Sequence, residues 1–146
     1  INLSERTENI SIYLEKRIPI LQNTIKINNY LDKNIFINGN GPLLSWAIEN
    51  IIRNGIDSIK NSKGQINISL KMSTKNAIIN IEDNGSGIPN KDWKNVFRPG
   101  FSTKNAGWGL GLSLAQRIVI EIHKGKLFIL KSDFKNGTNF QIDLPL

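Results

Sequence analysis

The first half of the chain alternates between segments with helical and with strand-like spacing of hydrophobic residues. A helix is predicted from Ser4, as its N-terminal cap, to about Leu21. Apolar and polar side chains alternate over 24–30, and the apolar residues 35–37 follow the turn Asp32-Lys33-Asn34, which predicts an extended segment or a hairpin. Leucine and isoleucine then recur at helical spacings over 43–60, which predicts a second helix with one buried stripe.

Two β-hairpins are predicted in the second half of the chain. Apolar residues alternate over 65–72 and 77–83, on either side of a polar turn. The alternation recurs over 127–130 and 138–144, around the turn Lys135-Asn136-Gly137. At least part of the sheet is therefore expected to be antiparallel.

Helical segments and a glycine-rich loop separate the two hairpins. A short helix is predicted around 90–96 and a longer one over 110–123, stopped by Lys124-Gly125. Residues 99–109 have no hydrophobic period and three glycines, which predicts a mobile loop. These elements predict an α+β fold, with helices packed on an antiparallel or mixed sheet as an α/β sandwich.

Length and composition exclude several classes of protein. The 146 residues suffice for one domain and are too few for two ordinary ones. Because there is no cysteine and only one histidine, disulfides, cysteine-based zinc sites and multi-histidine metal sites are excluded. No apolar run approaches the length of about 18 residues that spans a membrane. The chain lacks an initiating Met and a signal peptide, so we expect it to be a piece of a longer protein.

Positive charge is concentrated towards the C-terminus. The chain has 19 Lys+Arg against 12 Asp+Glu, a formal charge of +7. Residues 1–89 hold ten basic and eight acidic side chains, whereas residues 90–146 hold nine and four. Such an excess invites a nucleic-acid or anionic-membrane interpretation. The basic residues are scattered and are not interleaved with aromatic ones, so a solvated basic face is the favoured alternative.

A polar stripe on the second predicted helix is the first candidate site. Asn50, Asn54 and Asp57 stand at i, i+4 and i+7, opposite the isoleucine face. Asn and Asp are mediocre formers of helix interiors, so something other than propensity should hold them there. The chain contains 20 Asn, however, so chance or solvation is the alternative explanation.

A carboxylate at the end of a predicted strand is the second candidate. Asp83 is in phase with the apolar residues of its strand, and an inward carboxylate is costly unless a partner awaits it. A glycine-containing loop, 84–89, follows directly. Asp83 either meets a ligand or caps the following turn.

A glycine cluster before the third helix is the third candidate. Gly107, Gly109 and Gly111 allow backbone N–H groups to approach an anion, and the helix N-terminus adds about half a positive charge. This favours phosphate, although flexible turns also need glycine. The cluster does not fit a dinucleotide fingerprint, which requires a preceding strand in a parallel βαβ unit. It is no Walker loop either, because no GK[ST] follows the glycines.

In combination, these segments resemble one superfamily. In order, they are ENIIRNGID, DNGSGIP, VFRPGFSTK, GWGLGL and the pair Gly137-Thr138. They resemble the superfamily that unites gyrase B subunits, heat-shock chaperones, MutL and sensor histidine kinases. Within it the match is to the catalytic ATP-binding domain of a two-component sensor histidine kinase. The resemblance covers about residues 3–146 and implies a Bergerat-type ATP-binding fold, a mixed, largely antiparallel sheet with helices on one face.

The resemblance implies roles for the polar stripe and the strand-end carboxylate. Asn54 matches the asparagine that coordinates the Mg²⁺ bridging the ATP phosphates, with Asn50 one turn earlier and Asp57 one turn later. An amide oxygen is a suitable hard ligand for Mg²⁺. Asp83 matches the aspartate that accepts the adenine amino group and selects adenine over guanine.

Further pocket residues follow from the same match. Gly85 and Gly87 would let the loop lie close to the base, and Ile88 would line its apolar side. Thr138 resembles a second contact, direct or through water, to Asp83 and the adenine. An ordinary strand residue is the alternative for Thr138.

The glycine-rich segment matches the lid over the nucleotide. Lys104 is a candidate phosphate ligand, with solvated lid charges as the alternative for Lys104 and Arg98. Phe97 and Phe101 match the phenylalanine pair under the lid, with plain packing as the alternative. The nucleotide-binding residues implied from the lid onward are Phe101, Ser102, Thr103, Lys104, Gly107, Gly109, Leu110, Gly111 and Leu112.

One position departs from the hydrolytic branches of the superfamily. Those branches place a glutamate four residues before the metal asparagine to activate water, and here that position is Asn50. Glu49 is adjacent, about 100° around the helix, and so is expected to face elsewhere. Because an amide cannot act as a general base, the departure favours phosphoryl transfer over ATP hydrolysis. Asn50 and Asn54 are then the implied catalytic residues.

A protein histidine kinase that uses ATP and Mg²⁺ is therefore implied. In such kinases the phosphorylated histidine lies on a dimerisation hairpin before the ATP domain, which this chain does not include, and His123 is expected to be structural or capping. The chain alone is not expected to autophosphorylate. The implied partners are its own dimerisation domain and, downstream, a response regulator, within a homodimeric parent. Neither nucleic acid nor membrane contact is expected for this fragment. We expect it in the cytoplasm, free or as the cytoplasmic part of a membrane-anchored sensor.

Two alternatives share the same pocket. An anti-sigma-type serine/threonine protein kinase would need a protein serine substrate and a complete start, so the absent Met and the FSTK segment favour the sensor kinase. A non-catalytic ATP-binding module is disfavoured by the intact Asn54, Asp83 and lid glycines. Asp57 resembles kinases of the nitrogen-regulatory type more than the large class with lysine there.

Overall fold

Helices and strands alternate along the chain in the computed structural model, which describes residues 1–21, 25–59, 63–101 and 111–146. The helices are α1 (Leu3–Leu21), α2 (Gly41–Ser58) and α3 (Gly111–Arg117), the last continued by a π-helical turn over Ile118–Ile122. The strands are β1 (Ile25–Leu31), β2 (Gly64–Met72), β3 (Asn76–Asp83), β4 (Lys126–Asp133) and β5 (Gly137–Pro145). The short helix predicted around 90–96 is a pair of 3-10 turns, Asn90–Asp92 and Asn95–Phe97.

The five strands form one mixed sheet in the order β1-β2-β3-β5-β4. β1 pairs in parallel with β2, and the remaining pairs are antiparallel. Both predicted hairpins are confirmed, as β2 with β3 and as β4 with β5. The predicted α+β class with a mixed, largely antiparallel sheet is therefore confirmed.

One face of the sheet is buried beneath the helices and the other is polar. Most inward residues of β2, β3 and β5 are isoleucine, leucine, alanine and phenylalanine that are almost completely buried, and the buried Asp83 and Thr138 share this face. On the opposite face, side-chain amides bond across the strands, Asn28 to Asn67 at 3.0 Å and Asn80 to Asn139 at 3.1 Å. This division agrees with helices packed on one face.

α1 begins two residues earlier than predicted, and its cap is not Ser4. The Asn2 side-chain oxygen accepts a hydrogen bond from the Glu5 N–H at 3.1 Å, so Asn2 is the capping residue and the prediction was wrong. The Ser4 hydroxyl instead donates to Asp32 O at 2.6 Å and accepts from the Ile35 N–H at 3.0 Å. Ser4 therefore fixes the segment after β1 against the helix, a long-range role that local capping rules do not contain.

The segment 35–37 does not form a hairpin with β1. Phe36 forms an isolated antiparallel bridge with Asn2, and the Leu3 N–H donates to Ile35 O at 2.8 Å. β1 finds its partner in the distant β2. The hairpin alternative was therefore wrong, and the extended alternative is confirmed for β1.

α2 carries the core that supports the site. Asn40 caps it by accepting a hydrogen bond from the Leu43 N–H at 3.0 Å. Its buried stripe lies on the sheet and comprises Leu44, Ala47, Ile48, Ile51 and Ile52, each with no exposed surface. Because the stripe fixes the rotation of α2, the opposite side of the helix is held at the edge of a cavity.

The predicted third helix changes its pitch halfway. Seven α-helical residues are followed by the π-helical turn, and the helix ends at the predicted stop, where Lys124 adopts a φ of 57°. Most of the predicted loop over 99–109 lies outside the described residues. In the described part of the chain, no helix combines the length and apolar character that crossing a membrane requires.

Candidate functional site

A cavity of about 130 Å³ lies where the C-terminal end of α2 meets the loop that follows β3. Its described lining residues are Asn54, Ser58, Asp83, Ser86, Gly87, Ile88, Pro89, Asp92, Val96, Phe101, Leu112 and Thr138. A larger open groove of about 550 Å³ lies between α1 and α2. The charged residues of that groove are partly or fully exposed, whereas the smaller cavity contains a buried carboxylate, so the chemistry lies in the smaller one.

The carboxylate of Asp83 is the centre of this cavity. It ends β3 in phase with the core residues, as predicted, and only 3% of it is exposed. Its Oδ1 accepts hydrogen bonds from the Gly85 N–H at 2.8 Å, the Ser58 hydroxyl at 3.2 Å and the Thr138 N–H at 3.3 Å. Hydrogen bonds to an ionised acceptor are stronger than neutral ones, so these donors offset part of the cost of burying the group. The Gly85 contact also shows that Asp83 caps the turn after it, so both roles weighed for this residue are compatible.

Thr138 approaches Asp83 through its backbone rather than its hydroxyl. The hydroxyl of Thr138 lies 2.7 Å from that of Ser132, which accepts from the Ile88 N–H at 2.7 Å. The Trp93 ring N–H in turn donates to Ile88 O at 2.9 Å. This series of bonds connects the wall at Thr138 to the loop carrying Ile88, so the two sides of the cavity are held at a fixed separation.

Two glycines of the loop after β3 are required by close approaches. Gly87 adopts a φ of 76°, and a Cβ there would overlap with Asp133 O. A Cβ on Gly85 would overlap with the Ser58 hydroxyl oxygen. The loop therefore packs directly against α2 on one side and the β4–β5 turn on the other.

The polar stripe of α2 is only partly brought into the cavity. Asn54 lines it, whereas Asp57 is exposed and is not among its described lining residues. Asn50 donates from its amide nitrogen to Trp46 O at 2.8 Å, and a Cβ on Gly111 would lie 3.0 Å from its amide oxygen. Asn50 therefore lies next to the first residue of α3.

Glu49 is turned away from the cavity, as expected from its position on the helix. Its carboxylate accepts from Arg53, at 3.3 Å from Nε and 3.0 Å from Nη2. It lines the groove between α1 and α2. It is therefore not placed to act on a ligand in the Asp83 cavity.

The two phenylalanines of the predicted pair have different surroundings. Phe97 is buried and packs edge-to-face on Phe140, with ring centroids 6.1 Å apart. Phe101 is half-buried and lines the cavity, together with Ile88 and Leu112. Plain packing thus describes Phe97, whereas Phe101 is available to a ligand.

Several of the predicted lid residues lie outside the described residues. They are Ser102, Thr103, Lys104, Gly107, Gly109 and Leu110. Arg98, just before this segment, is exposed. Within the described ranges, no three His, Cys, Asp or Glu residues cluster as a metal site would require.

His123 is bonded through both ring nitrogens and is buried, with 7% exposed. Its Nε2 accepts from the Asn40 N–H at 3.0 Å, which requires the tautomer that carries the proton on Nδ1. Nδ1 lies 2.9 Å from Ile118 O and donates to it. These contacts agree with the structural or capping role expected for this residue.

The sequence interpretation missed several residues of the cavity. Ser58, Ser86, Pro89, Asp92 and Val96 line it but were not predicted. Ser58 follows Asn54 by four positions and so continues the polar stripe of α2, a signal present in the sequence. The others depend on the path of the loop after β3, for which the sequence contains no periodic pattern.

The comparison with known families agrees with this geometry. Residues 39–146 match the family described as "Histidine kinase-, DNA gyrase B-, and HSP90-like ATPase". Sporulation kinase C of Bacillus subtilis is 34% identical over 148 aligned residues, which cover 97% of this chain and 34% of that protein. The chain therefore spans about a third of the length of this relative.

Solved structures show the same fold. The catalytic domain of histidine kinase ThkA matches with a TM-score of 0.85 and 25% identity, over 99% of this chain and 93% of that chain. ThkA in complex with the response regulator TrrA matches with a TM-score of 0.82 and 23% identity, over 99% of this chain and 40% of that chain. The arrangement of helices and sheet is therefore that of a histidine kinase catalytic domain.

Proposed function

The chain belongs to the family of histidine kinase-, DNA gyrase B- and HSP90-like ATPases, and from this premise we propose that it binds Mg-ATP and transfers the γ-phosphate to a histidine on a separate dimerisation domain. The observation that carries the proposal is the buried Asp83 carboxylate at the wall of the cavity, beside Asn54 of α2. A two-component signalling pathway is the setting in which such a transfer has a use.

The carboxylate selects the base by hydrogen-bond type. A carboxylate accepts hydrogen bonds and the adenine amino group donates them, whereas guanine presents an acceptor at the same ring position. Ile88, Phe101 and Leu112 supply the apolar walls against which a purine ring packs. Adenine is therefore the base that this cavity favours.

The phosphates and Mg²⁺ are assigned to the other end of the pocket. The Asn54 amide oxygen is a hard ligand suited to Mg²⁺, which in nucleotide sites shares phosphate oxygens and keeps several waters. A bound Mg²⁺ would neutralise phosphate charge, and Asn54 would hold it. We assign the other nucleotide-binding residues predicted from the sequence to the same site: Ser102, Thr103, Lys104, Gly107, Gly109 and Gly111.

The surroundings of α2 favour phosphoryl transfer over ATP hydrolysis. Asn50 occupies the position at which a hydrolytic relative would carry a general base, and an amide cannot take a proton from water. Glu49 is engaged by Arg53 on the far side of the helix. We therefore assign Asn50 a positioning role beside α3 and leave the nucleophile to the dimerisation domain.

Partners follow from the same proposal. The acceptor histidine belongs to a dimerisation domain of a homodimeric parent, and the phosphoryl group then passes to a response regulator. The solved complex of ThkA with TrrA supports a regulator as the downstream partner. Because ATP is the phosphoryl donor, we place the reaction in the cytoplasm. Part of the basic surplus in residues 90–146 then attracts the polyanionic nucleotide.

The proposal is tested by titrating the chain with ATP and Mg²⁺ in a calorimeter and comparing Asp83→Asn with Asp143→Asn. Asp143 is half-buried and accepts from Gln141 at 2.9 Å on the polar face of the sheet, so its substitution controls for loss of a carboxylate. Loss of a carboxylate that hydrogen-bonds to the base is expected to lower the affinity for ATP by about 100-fold or more. Equal affinities for the two variants would refute the assignment of adenine to this cavity.

The reaction itself is tested after joining the chain to its dimerisation hairpin. Labelling from ATP that is lost in acid and retained in alkali identifies phosphohistidine. An acid-stable label on a protein serine would instead favour the anti-sigma-type kinase, and binding without any label would favour a non-catalytic module.

A further inference from the structure

Ser58 is one of the cavity residues for which no role in ligand binding has been assigned. It ends α2, four residues after Asn54, and its side chain lines the cavity beside Asp83. Its single hydroxyl proton is shared between two acceptors, Gly55 O at 2.7 Å and Asp83 Oδ1 at 3.2 Å. A serine at a helix end commonly bonds to a carbonyl three or four residues back, so the Gly55 contact is ordinary. The Asp83 contact is not explained by helix geometry.

The backbone around Ser58 holds this hydroxyl in place. The Ser58 carbonyl accepts from the Ser86 N–H at 3.1 Å, which fastens the loop after β3 to the end of α2. A Cβ on Gly85 would overlap with the Ser58 hydroxyl and lie 2.8 Å from its carbonyl oxygen. Glycine at 85 therefore leaves the space that the hydroxyl occupies.

The contact constrains the orientation of the base-reading carboxylate. Among the described residues, the two other donors to Oδ1 are the backbone N–H groups of Gly85 and Thr138, so the contact from Ser58 is the one of these three made by a side chain. Because Oδ1 accepts from these three donors, rotation of the carboxylate about its Cβ bond is restricted. The direction in which it accepts a further hydrogen bond from a ligand is then fixed before the ligand binds.

We propose that Ser58 is a specificity-determining residue of the nucleotide site, which orients Asp83 so that the pocket recognises the exocyclic amino group of adenine. This inference rests on the proposed function, since it concerns the same pocket. It predicts that the Ser58 hydroxyl raises the affinity only for nucleotides that carry the amino group. A merely structural serine would affect all nucleotides alike.

The experiment combines variants of the protein with variants of the ligand. Ser58→Ala removes the hydroxyl and introduces a better helix former, so the variant is expected to fold. Affinities are measured by calorimetry for ATP and for purine riboside triphosphate, which has hydrogen in place of the amino group. Ser69→Ala, on the polar face of β2, is the matched control, because Ser69 is also half-buried and lies away from the cavity.

We expect Ser58→Ala to lower the affinity for ATP about three- to tenfold. This is the range for losing one hydrogen bond to a charged group when that bond is long and its proton is shared. The affinity for purine riboside triphosphate is expected to stay within about twofold of the wild-type value, because that ligand makes no amino contact. Ser58→Cys retains a weaker donor, so its ATP affinity should fall between those of serine and alanine. Ser69→Ala should change neither affinity.

An equal loss of affinity for both nucleotides in Ser58→Ala would overturn the proposal, because it would show a general structural effect. An unchanged ATP affinity would overturn it as well. These results differ from failure of the proposed function, in which the wild-type chain itself would not bind ATP or would not distinguish it from purine riboside triphosphate.

Discussion

The Nε2 atom of His123 accepts a hydrogen bond from the backbone N–H of Asn40 at 3.0 Å. The contact ties the end of the π-helical turn after α3 to the residue that caps α2. α3 and α2 are thus fastened together at one end by His123, while at the other end Gly111 lies beside Asn50. The single histidine of the chain therefore sets the relative position of the two helices that border the proposed phosphate region.

His123→Ala is expected to lower the free energy of unfolding by about 1–3 kcal/mol, because it leaves the Asn40 N–H and the Ile118 carbonyl without this partner in a buried setting. Urea denaturation followed by circular dichroism measures the change. Arg117→Ala on the same helix is the control. Its ion pair with Glu121 is exposed, so its loss should cost less than about 1 kcal/mol. Equal losses for the two variants would contradict the structural role of His123.

The same contacts predict that His123 is not phosphorylated. A phosphoryl acceptor nitrogen must present a free lone pair to the nucleotide, whereas Nε2 is occupied by Asn40 and Nδ1 carries the proton donated to Ile118 O. Incubating the chain alone with Mg²⁺ and ATP labelled in the γ-phosphate should leave the protein unlabelled. An acid-labile label that disappears in His123→Gln would show that the acceptor has been assigned wrongly.

The sequence predicted those parts of the fold that depend on local pattern. The alternation of Ala77, Ile79 and Ile81 fixed the inward phase of Asp83, and the buried position of that carboxylate follows from strand geometry alone. The cap of α1 and the partner of β1 were not local. The Ser4 hydroxyl forms its hydrogen bonds with Asp32 O and the Ile35 N–H, and β1 pairs with a strand that follows the whole of α2 in sequence.

The candidate site shows the same division. Asn54 and Asp83 were found because each breaks a local rule, a polar residue in a helix interior and a carboxylate in an apolar phase. Ser58 breaks no rule, since serine is ordinary at a helix end, and only the approach of the loop after β3 gives it a second contact. Phe97 and Phe101 are alike in sequence, and their different surroundings depend on the position of Phe140.

The two phenylalanines are expected to respond differently to truncation. Phe97→Ala removes a buried ring packed on Phe140, so it should lower the free energy of unfolding by about 3–5 kcal/mol. Phe101→Ala should lower the free energy of unfolding less, because the ring is half-buried. It should lower the affinity for ATP, because it removes an apolar wall of the cavity. Denaturation and calorimetry on both variants measure these changes. A larger stability loss for Phe101→Ala than for Phe97→Ala would contradict the assignment.

The β4–β5 turn is predicted to lose stability in acid. The pKa of Asp133 is lowered from its ordinary value, first by the Asn136 N–H and then by the Asn136 amide and the Lys135 N–H. Because the folded pKa lies below the unfolded one, the ionised group stabilises the fold above the unfolded pKa and ceases to do so as the pH falls through the folded pKa. Asp133→Asn should therefore lower the Tm at neutral pH, and the difference from wild type should shrink in acid. A difference that stays constant with pH would contradict this prediction.

Gly87 offers a test of the contact between the loop after β3 and this same turn. Both Gly87, at a φ of 76°, and Gly100, at 82°, adopt the left-handed region, in which an alanine costs about 1–2 kcal/mol. The space around them differs. A Cβ on Gly87 would overlap with Asp133 O, whereas a Cβ on Gly100 would meet nothing within 4 Å.

Comparing Gly87→Ala with Gly100→Ala therefore separates backbone strain from the steric contact. Gly100→Ala should lose only the strain, about 1–2 kcal/mol of unfolding free energy. Gly87→Ala should lose that amount and more, because Asp133 must move or the loop must shift. A shift of the loop would displace Ile88 and the Ser132–Thr138 pair behind it. Gly87→Ala should therefore also lower the affinity for ATP, and Gly100→Ala should lower it less. Denaturation and calorimetry on the two variants measure both effects. Equal losses of stability and of affinity would show that the loop does not rest on the β4–β5 turn and that this contact does not shape the pocket.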